Sequence, residues 1–300
     1  MARNLLGRYT WLIDTLRRCG HLTFGEINAR WRISIFSDGK SMPRRTFYNY
    51  RMAVGELFGV EICFNATDKT YYVESGDYHA TSVTNWMLNS ASISGILNDA
   101  REVSDRIFLE EVPSARDNLA PILDALKHNH SVKFTYHPFS RTFATQGVHV
   151  QPFLMKLFKQ RWYMAGLNVE EERIKTYALD RMSSLEVQTD TFEIPADFDP
   201  EQYFHNSFGI VVDNSEPREV AIKVGIRQAK YLRALPLHHS QVETIHDDFS
   251  IFYYTLQLTQ DFVAELMSHG SAIEVIAPTE LRAMMAATLR DTLKLYDKKH

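Results

Sequence analysis

The chain has 300 residues, 45% of them apolar and 23% charged, with a formal net charge of −4. That length suffices for two or three domains with cores of their own, and the composition is too apolar and too nearly balanced for a disordered, collagen-like or low-complexity protein. A net acidic chain argues against a polyanionic partner, but residues 1–75 hold eleven basic and seven acidic side chains, a net of +4, which leaves −8 for the remainder. Such asymmetry points to a polyanion-binding module at the N-terminal end.

The compartment expected is the cytoplasm. Arg8 and Asp14 interrupt any apolar leader-like run, and no stretch reaches the roughly 18 consecutive apolar residues of a membrane helix. Cys19 and Cys63 stand far apart, without a second pair or histidines at zinc spacing. No membrane partner, metal site or cofactor is therefore expected.

In residues 3–19, Leu5, Leu6, Tyr9, Leu12, Ile13 and Leu16 recur at three- and four-residue steps, one apolar stripe on a helix that Gly20 stops. Thr23 and Glu26 have capping-box spacing and open a second short helix through Ile27 and Trp31. After the polar break Ser37–Lys40, Ser41 is expected to cap a third helix, with Pro43 in its first turn and Gly59 at its end. Its core face would be Phe47, Tyr50, Val54 and Leu57 or Phe58. At 100° per residue, Arg45, Tyr48, Asn49 and Met52 then point outward, flanked by Arg44 and Arg51.

Those outward residues suit a DNA groove, because arginine can pair bidentately with guanine, asparagine with adenine, and flanking arginines can neutralise phosphates. Arg44, Arg45, Tyr48, Asn49 and Arg51 are the candidate DNA contacts. The runs VEICF and TYYVE, joined by NATDK, read as two short strands and a turn. Three helices and a hairpin within residues 1–75 describe a winged helix-turn-helix; a small helical domain with a solvated arginine face is the alternative. The run RRTFYNYR also resembles the recognition helix of winged helix-turn-helix transcription regulators.

Residues 76–130 read as a helical connector carrying Trp86, Leu88, Ile93, Ile96 and Leu97, with a loop near Pro113. Pro121 would start a last short helix with Ile122, Leu123 and Leu126 on its apolar side. Such a connector can supply a dimer surface. The tripeptide His128-Asn129-His130 lacks the surroundings of a metal or nuclease motif and reads as an exposed loop.

From residue 131 to 190 the period becomes two. Val132, Phe134 and Tyr136; Val148, Val150 and Pro152; Trp162, Met164 and Gly166; Ile174, Thr176 and Ala178; and Leu185 and Val187 mark five strands. A small closed barrel is the expected arrangement, since closure removes exposed edges. Three motifs stand here in order: VKFTY with VHVQPFLM, then Arg161-Trp162-Tyr163-Met164, then KTYALDRM. Together they resemble the WYL-domain family of bacterial regulators, whose last element reads Arg-Thr-Phe-x-Leu-Asp-Arg-Ile. Met164 replaces the family leucine at conserved volume, and Lys175 replaces an arginine, keeping charge but losing the planar fork.

The resemblance implies an Sm/SH3-like barrel that senses a nucleotide or single-stranded nucleic acid. The residue types agree in kind: His149, Arg161, Lys175 and Arg181 offer cationic or hydrogen-bonding heads, and Tyr136, Tyr163 and Tyr177 offer rings for stacking. Trp162 and some of the tyrosines are also natural core residues, and Arg181 beside Asp180 can equally be half of a structural ion pair.

After a linker over 191–215, residues 216–300 read in the order strand, helix, strand, strand, helix, strand, helix, whose first six elements have the ferredoxin-like pattern. A C-terminal extension of this kind is what the family resemblance implies. Arg227, His238 and His239 have no recognisable partner and are assigned to solvated surface. The fold class is thus α+β and multidomain.

No GxxxxGK[ST], GxSxG or HExxH pattern appears, so no catalytic residues are assigned and a non-enzyme is expected. The function expected is a ligand-responsive transcription regulator with duplex DNA and a nucleotide or oligonucleotide effector as partners. Two-half-site geometry favours a homodimer. A non-regulatory nucleic-acid-binding subunit of a phage-defence or DNA-repair assembly is the alternative.

Overall fold

A computed structural model describes residues 5–73, 86–87, 90, 93, 106–108, 115–139, 141–213 and 215–297. The chain forms two compact units, Met1–Glu110 and Glu111–His300. Both mix helices with antiparallel sheets.

In the first unit, α1 (Leu5–Cys19) ends where Gly20 turns left-handed at φ +72°. The strand β1 (Leu22–Thr23) leads into α2 (Phe24–Arg32), and Thr23 and Glu26 make both bonds of the capping box. α3 (Arg44–Phe58) is capped at its far end by left-handed Gly59. The hairpin β2 (Ile62–Asn65) and β3 (Thr70–Val73) closes on β1 in the order β1-β3-β2. Leu12, Ile13 and Leu16, Ile27 and Trp31, and Phe47, Tyr50, Val54 and Phe58 meet Ile62 and Tyr71 in one core. Each fully buried side chain of this size contributes about 1.5–3 kcal/mol, so apolar packing outweighs the about 1 kcal/mol of a helix cap.

Two local expectations in this unit are corrected. Ser41 does not cap α3: the N-cap is Pro43, in extended backbone and with no side-chain cap, which leaves Ser41 two residues too early. The approach is held instead by Asn28, whose side chain accepts from the Met42 N–H at 2.8 Å and donates to the Met42 carbonyl at 2.9 Å. Leu57 is exposed and Phe58 is the buried member of that pair. Cys19 and Cys63 are not joined in a disulfide.

Of the connector, the predicted helix around Trp86 and the loop near Pro113 fall outside the described residues except at a few positions. Its last helix, α4 (Arg116–His128), starts earlier than expected and carries Pro121 inside it. Packing explains this, because Ile122 and Ala125 are fully buried against the following sheet and hold the helix across the proline. The tripeptide read as a loop is a junction: His128 ends α4, Asn129 turns left-handed, and His130 opens the next strand.

The second unit continues with β4 (His130–Tyr136), β5 (Thr145–Phe158), β6 (Arg161–Asn168), β7 (Arg173–Ala178) and, after a 3₁₀ turn at Leu179–Arg181, β8 (Met182–Thr191). All five predicted strands are present, in the antiparallel order β7-β6-β5-β4-β8. The 14-residue β5 pairs with β4 along its first half and with β6 along its second, with register shifts near Tyr136 and Pro152. Bulges of this kind bend and coil a sheet. Its outer strands, β7 and β8, are not hydrogen-bonded to one another.

A short α5 (Pro200–Tyr203), capped by Asp199, leads to β9 (Arg218–Gly225), α6 (Ile226–Ala234), β10 (Val242–Ile245), β11 (Phe249–Leu256), α7 (Gln260–Ser268), β12 (Ile273–Ala277) and α8 (Thr279–Asp297). The sheet order is β10-β11-β9-β12, all antiparallel. Alternate residues of β9 and β11 bury Val220, Ile222, Val224, Phe252, Tyr254 and Leu256 against the helices. The end of β5 is fastened to this part: the Lys156 ammonium donates to the Gly209 carbonyl at 2.5 Å, and Lys159 pairs with Glu265 at 2.6 Å. Arg227 is exposed as expected, but His238 is buried, a correction taken up below. Among the described residues no helix is long and apolar enough to cross a membrane.

Candidate functional site

Each unit carries a candidate site. On α3, burial of Phe47, Tyr50, Val54 and Phe58 turns the opposite face outward, and Arg45, Tyr48, Asn49 and Met52 are all exposed. Neither Arg45 nor Asn49 has a hydrogen bond or ion pair among the described residues. The other candidates are partly engaged. The Arg44 guanidinium lies 4.8 Å from the Phe24 ring centre. Arg51 donates from Nε to the Ile62 carbonyl at 2.6 Å, a charged hydrogen bond worth about 1.5–3 kcal/mol that straps α3 to the hairpin. The Tyr48 and Tyr71 hydroxyls lie 3.3 Å apart.

Beside this face a groove of about 460 Å³ runs between the start of α2, the start of α3 and the hairpin, with Thr23, Gly25, Arg44, Phe64, Lys69 and Tyr71 among its walls. Lys69 and Phe64 were missed from sequence. A basic residue in the NATDK turn was the available signal for Lys69, whereas the exposure of Phe64 follows from the hairpin's packing.

In the second unit a cavity of about 520 Å³ opens between β4, β5, β6 and β7, a size suited to a small ligand. It gathers three of the seven predicted ligand residues: Tyr136, Lys175 and Tyr177. The Tyr177 ring stands edge-on to Phe134 and Tyr136, and its hydroxyl accepts from Asn168 Nδ2 at 2.9 Å. Burial pushes its pKa up to about 12. The Tyr136 hydroxyl accepts the Ala178 N–H at 3.3 Å. Lys175 is not a free cation, for it is paired with Glu171, which also takes Arg173 at 2.6 Å. Those hydrogen bonds hold the Glu171 carboxyl below the usual range. With Arg141 and Glu170 also on the wall, the charged lining balances to zero.

The other four candidates lie outside that lining. Arg161 forms an ion pair with Asp180 at 3.4 Å. Arg181, sequence neighbour of Asp180, lies over the Phe139 ring at 3.7 Å, and its buried Nε has no partner among the described residues. Tyr163 is buried near both arginines; desolvation raises its pKa and their charges oppose the rise. His149 alternates away from the cavity-lining Val148 and meets the Ser131 hydroxyl at 2.8 Å, with Asp190 at 3.8 Å. Ser131 also donates to Asp190, lowering that carboxyl's pKa. Arg141, Asn168, Glu170 and Glu171 were missed because loops and β6 bring them to the cavity, a proximity without periodicity.

The WYL domain family matches residues 117–187, and the WCX domain family matches residues 216–293. No curated protein matches the chain. Among solved structures it is similar to the proteasome accessory factor B/C (PafBC) of Arthrobacter aurescens, with 15% identity and a TM-score of 0.41 over 100% of this chain and 48% of that one. It is also similar to a CRISPR Cas-related protein, with 11% identity and a TM-score of 0.40 over 91% of this chain and 71% of that one. The chain thus spans about half the length of the first of these.

Proposed function

We propose that this chain, a member of the WYL-domain family that carries a WCX domain after its WYL domain, is a DNA-binding transcription regulator that responds to an effector rather than an enzyme. We read the first unit as a winged helix-turn-helix, with α3 as recognition helix and the β2–β3 hairpin as wing. The five-stranded sheet is read as the Sm/SH3-like WYL fold. The order β10-β11-β9-β12, with helices after its first and third strands in sequence, fits the ferredoxin-like arrangement.

The observation that carries the reading is the face of α3. Arginine and asparagine stand exposed and unengaged one turn apart, beside a tyrosine and a flanking arginine, on a helix whose other side is fully packed. That arrangement matches direct readout of guanine and adenine in a major groove. Lys69 and Arg44 supply cations for backbone phosphates at the neighbouring groove.

The effector reading rests on the cavity between β4 and β7. Tyrosines beside a charged lining that balances to zero suit the base or sugar of a nucleotide, with Arg141 and Lys175 the cationic heads on its wall. An effector alters DNA affinity only as far as it prefers one arrangement of the protein, typically by about 1–3 kcal/mol. The homodimer remains part of the proposal through half-site geometry.

A duplex recovered by genome-wide binding, titrated across salt, provides the test. Arg45→Ala with Asn49→Ala is expected to remove sequence preference, each lost bidentate contact being worth about 1–3 kcal/mol. Arg44→Ala should instead weaken binding to all duplexes and flatten the salt dependence by about one unit of slope. Specific binding unchanged in the double variant would overturn the assignment of α3 as reading helix.

A further inference from the structure

A second cavity of the C-terminal unit, about 410 Å³, lies where the end of β5 meets the C-terminal module; Lys156, Phe204, Phe208, His238 and His239 are on its walls. Two imidazoles on those walls, His238 and His239, meet a third, His205. His205 comes from the segment that leaves the WYL sheet, and His238 and His239 come from the loop between α6 and β10. The ring centres of His205 and His239 are 4.2 Å apart and those of His238 and His239 are 4.0 Å apart.

We propose that His205 and His239 form a two-histidine site for a borderline divalent transition metal, of the class of zinc, nickel or copper(II), which clamps the segment following the WYL domain to the WCX domain. Their Nε2 atoms are 3.2 Å apart. Zinc–nitrogen bonds of about 2.0–2.1 Å at a tetrahedral angle place neighbouring donor nitrogens about 3.3 Å apart, and octahedral edges are about 3 Å. The nitrogens are closer together than the ring centres, so the two donor edges lean toward one another. Among the described residues each Nε2 has no hydrogen-bond partner but the other. Both side chains are exposed, which leaves room for water in the remaining coordination positions.

His238 positions this pair without ligating. Its Nε2–H donates to the His205 carbonyl at 2.9 Å, and its Nδ1 accepts from the Ser240 hydroxyl at 2.7 Å. Both ring nitrogens are thereby used. His238 thus holds the backbone of one ligand and packs its ring 4.0 Å from that of the other. Imidazole donors favour these metals over magnesium or calcium, which prefer oxygen. Among the described residues no third histidine, cysteine or carboxylate completes a closed set, so the site takes an accessible, exchangeable ion.

Full-length protein titrated with nickel chloride or zinc sulfate by calorimetry and thermal melting tests this. Wild type is expected to bind one ion through this pair, with a metal-dependent rise in melting temperature and no response to magnesium. His205→Gln and His239→Gln should each abolish that binding while melting as wild type does without metal; His128→Gln, at a distant histidine, should retain it. Copper(II) electron paramagnetic resonance of the wild type reads the donors without any substitution and should show imidazole nitrogen hyperfine structure. Wild type without such a signal, or metal uptake alike in wild type and both glutamine variants, would overturn the site.

Discussion

At Gly166, β6 passes so close to β5 that a Cβ would sit 2.2 Å from the Gln151 carbonyl oxygen and 2.9 Å from the Pro152 Cα. Both neighbours belong to a backbone tied into the ladder, so neither can swing aside. Gly166→Ala is therefore expected to destabilise the second unit by about 1–3 kcal/mol, the usual range for an overpacked interior, seen as a lower melting temperature with unchanged duplex affinity in the intact state. Equal melting temperatures would show that the strands can separate there without loss. The alternation around Trp162, Met164 and Gly166 identified the strand in advance, but the need for glycine was not legible. It arises from a neighbour 14 or 15 residues earlier, where the β5 register shifts between Pro152 and Leu154. The capping box at Thr23 and Glu26 is the opposite case: both partners lie within one turn, so spacing alone specified the contact.

For the elements, α4 illustrates how packing overrides a local signal. A proline usually belongs in the first turn, where its missing N–H costs nothing, yet Pro121 is the sixth residue of Arg116–His128. The helix extends back to Arg116 because Asn118 donates to the carbonyls of Leu179 and Met182, at 2.9 Å and 3.1 Å, fastening its first turn to the sheet. Pro121→Ala restores an N–H to the helix interior and should stabilise the second unit, by at most about 3 kcal/mol, less what the proline saves in unfolded-chain entropy. A melting temperature at or below that of wild type would show that the proline is already accommodated without loss. The inward and outward faces of α3 were readable because they depend only on a 100° step. Which outward arginines are free was not readable, since the carbonyl that holds Arg51 comes from the hairpin.

Across the whole molecule, the division of charge has a measurable consequence. A basic first module and an acidic remainder are expected to direct polyanions to the first unit, where α3 is the proposed reading helix, and repel them elsewhere. Neutralising exposed acids of the body, for example Glu216→Gln, Glu219→Gln and Asp247→Asn together, should raise affinity for non-specific duplex at low salt while leaving sequence preference intact. No rise would reduce the asymmetry to composition alone.

Outside the connector, the amino-acid sequence by itself determined the order of the main elements, the core faces of α2 and α3, the five-strand run with its WYL motifs and the strand–helix alternation that follows, because each is a periodicity or a short-range spacing; the apolar stripes read for α1 and α4 lose Leu5, Leu6 and Leu123 to solvent. Tertiary structure alone decided which side chains meet. It put Lys175 on Glu171 and Arg161 on Asp180, buried a histidine assigned to solvent, and brought His205 to His239 across 34 residues. Charge pairing and metal-competent spacing depend on distances of a few ångströms between segments remote in sequence, and only the folded chain sets those distances.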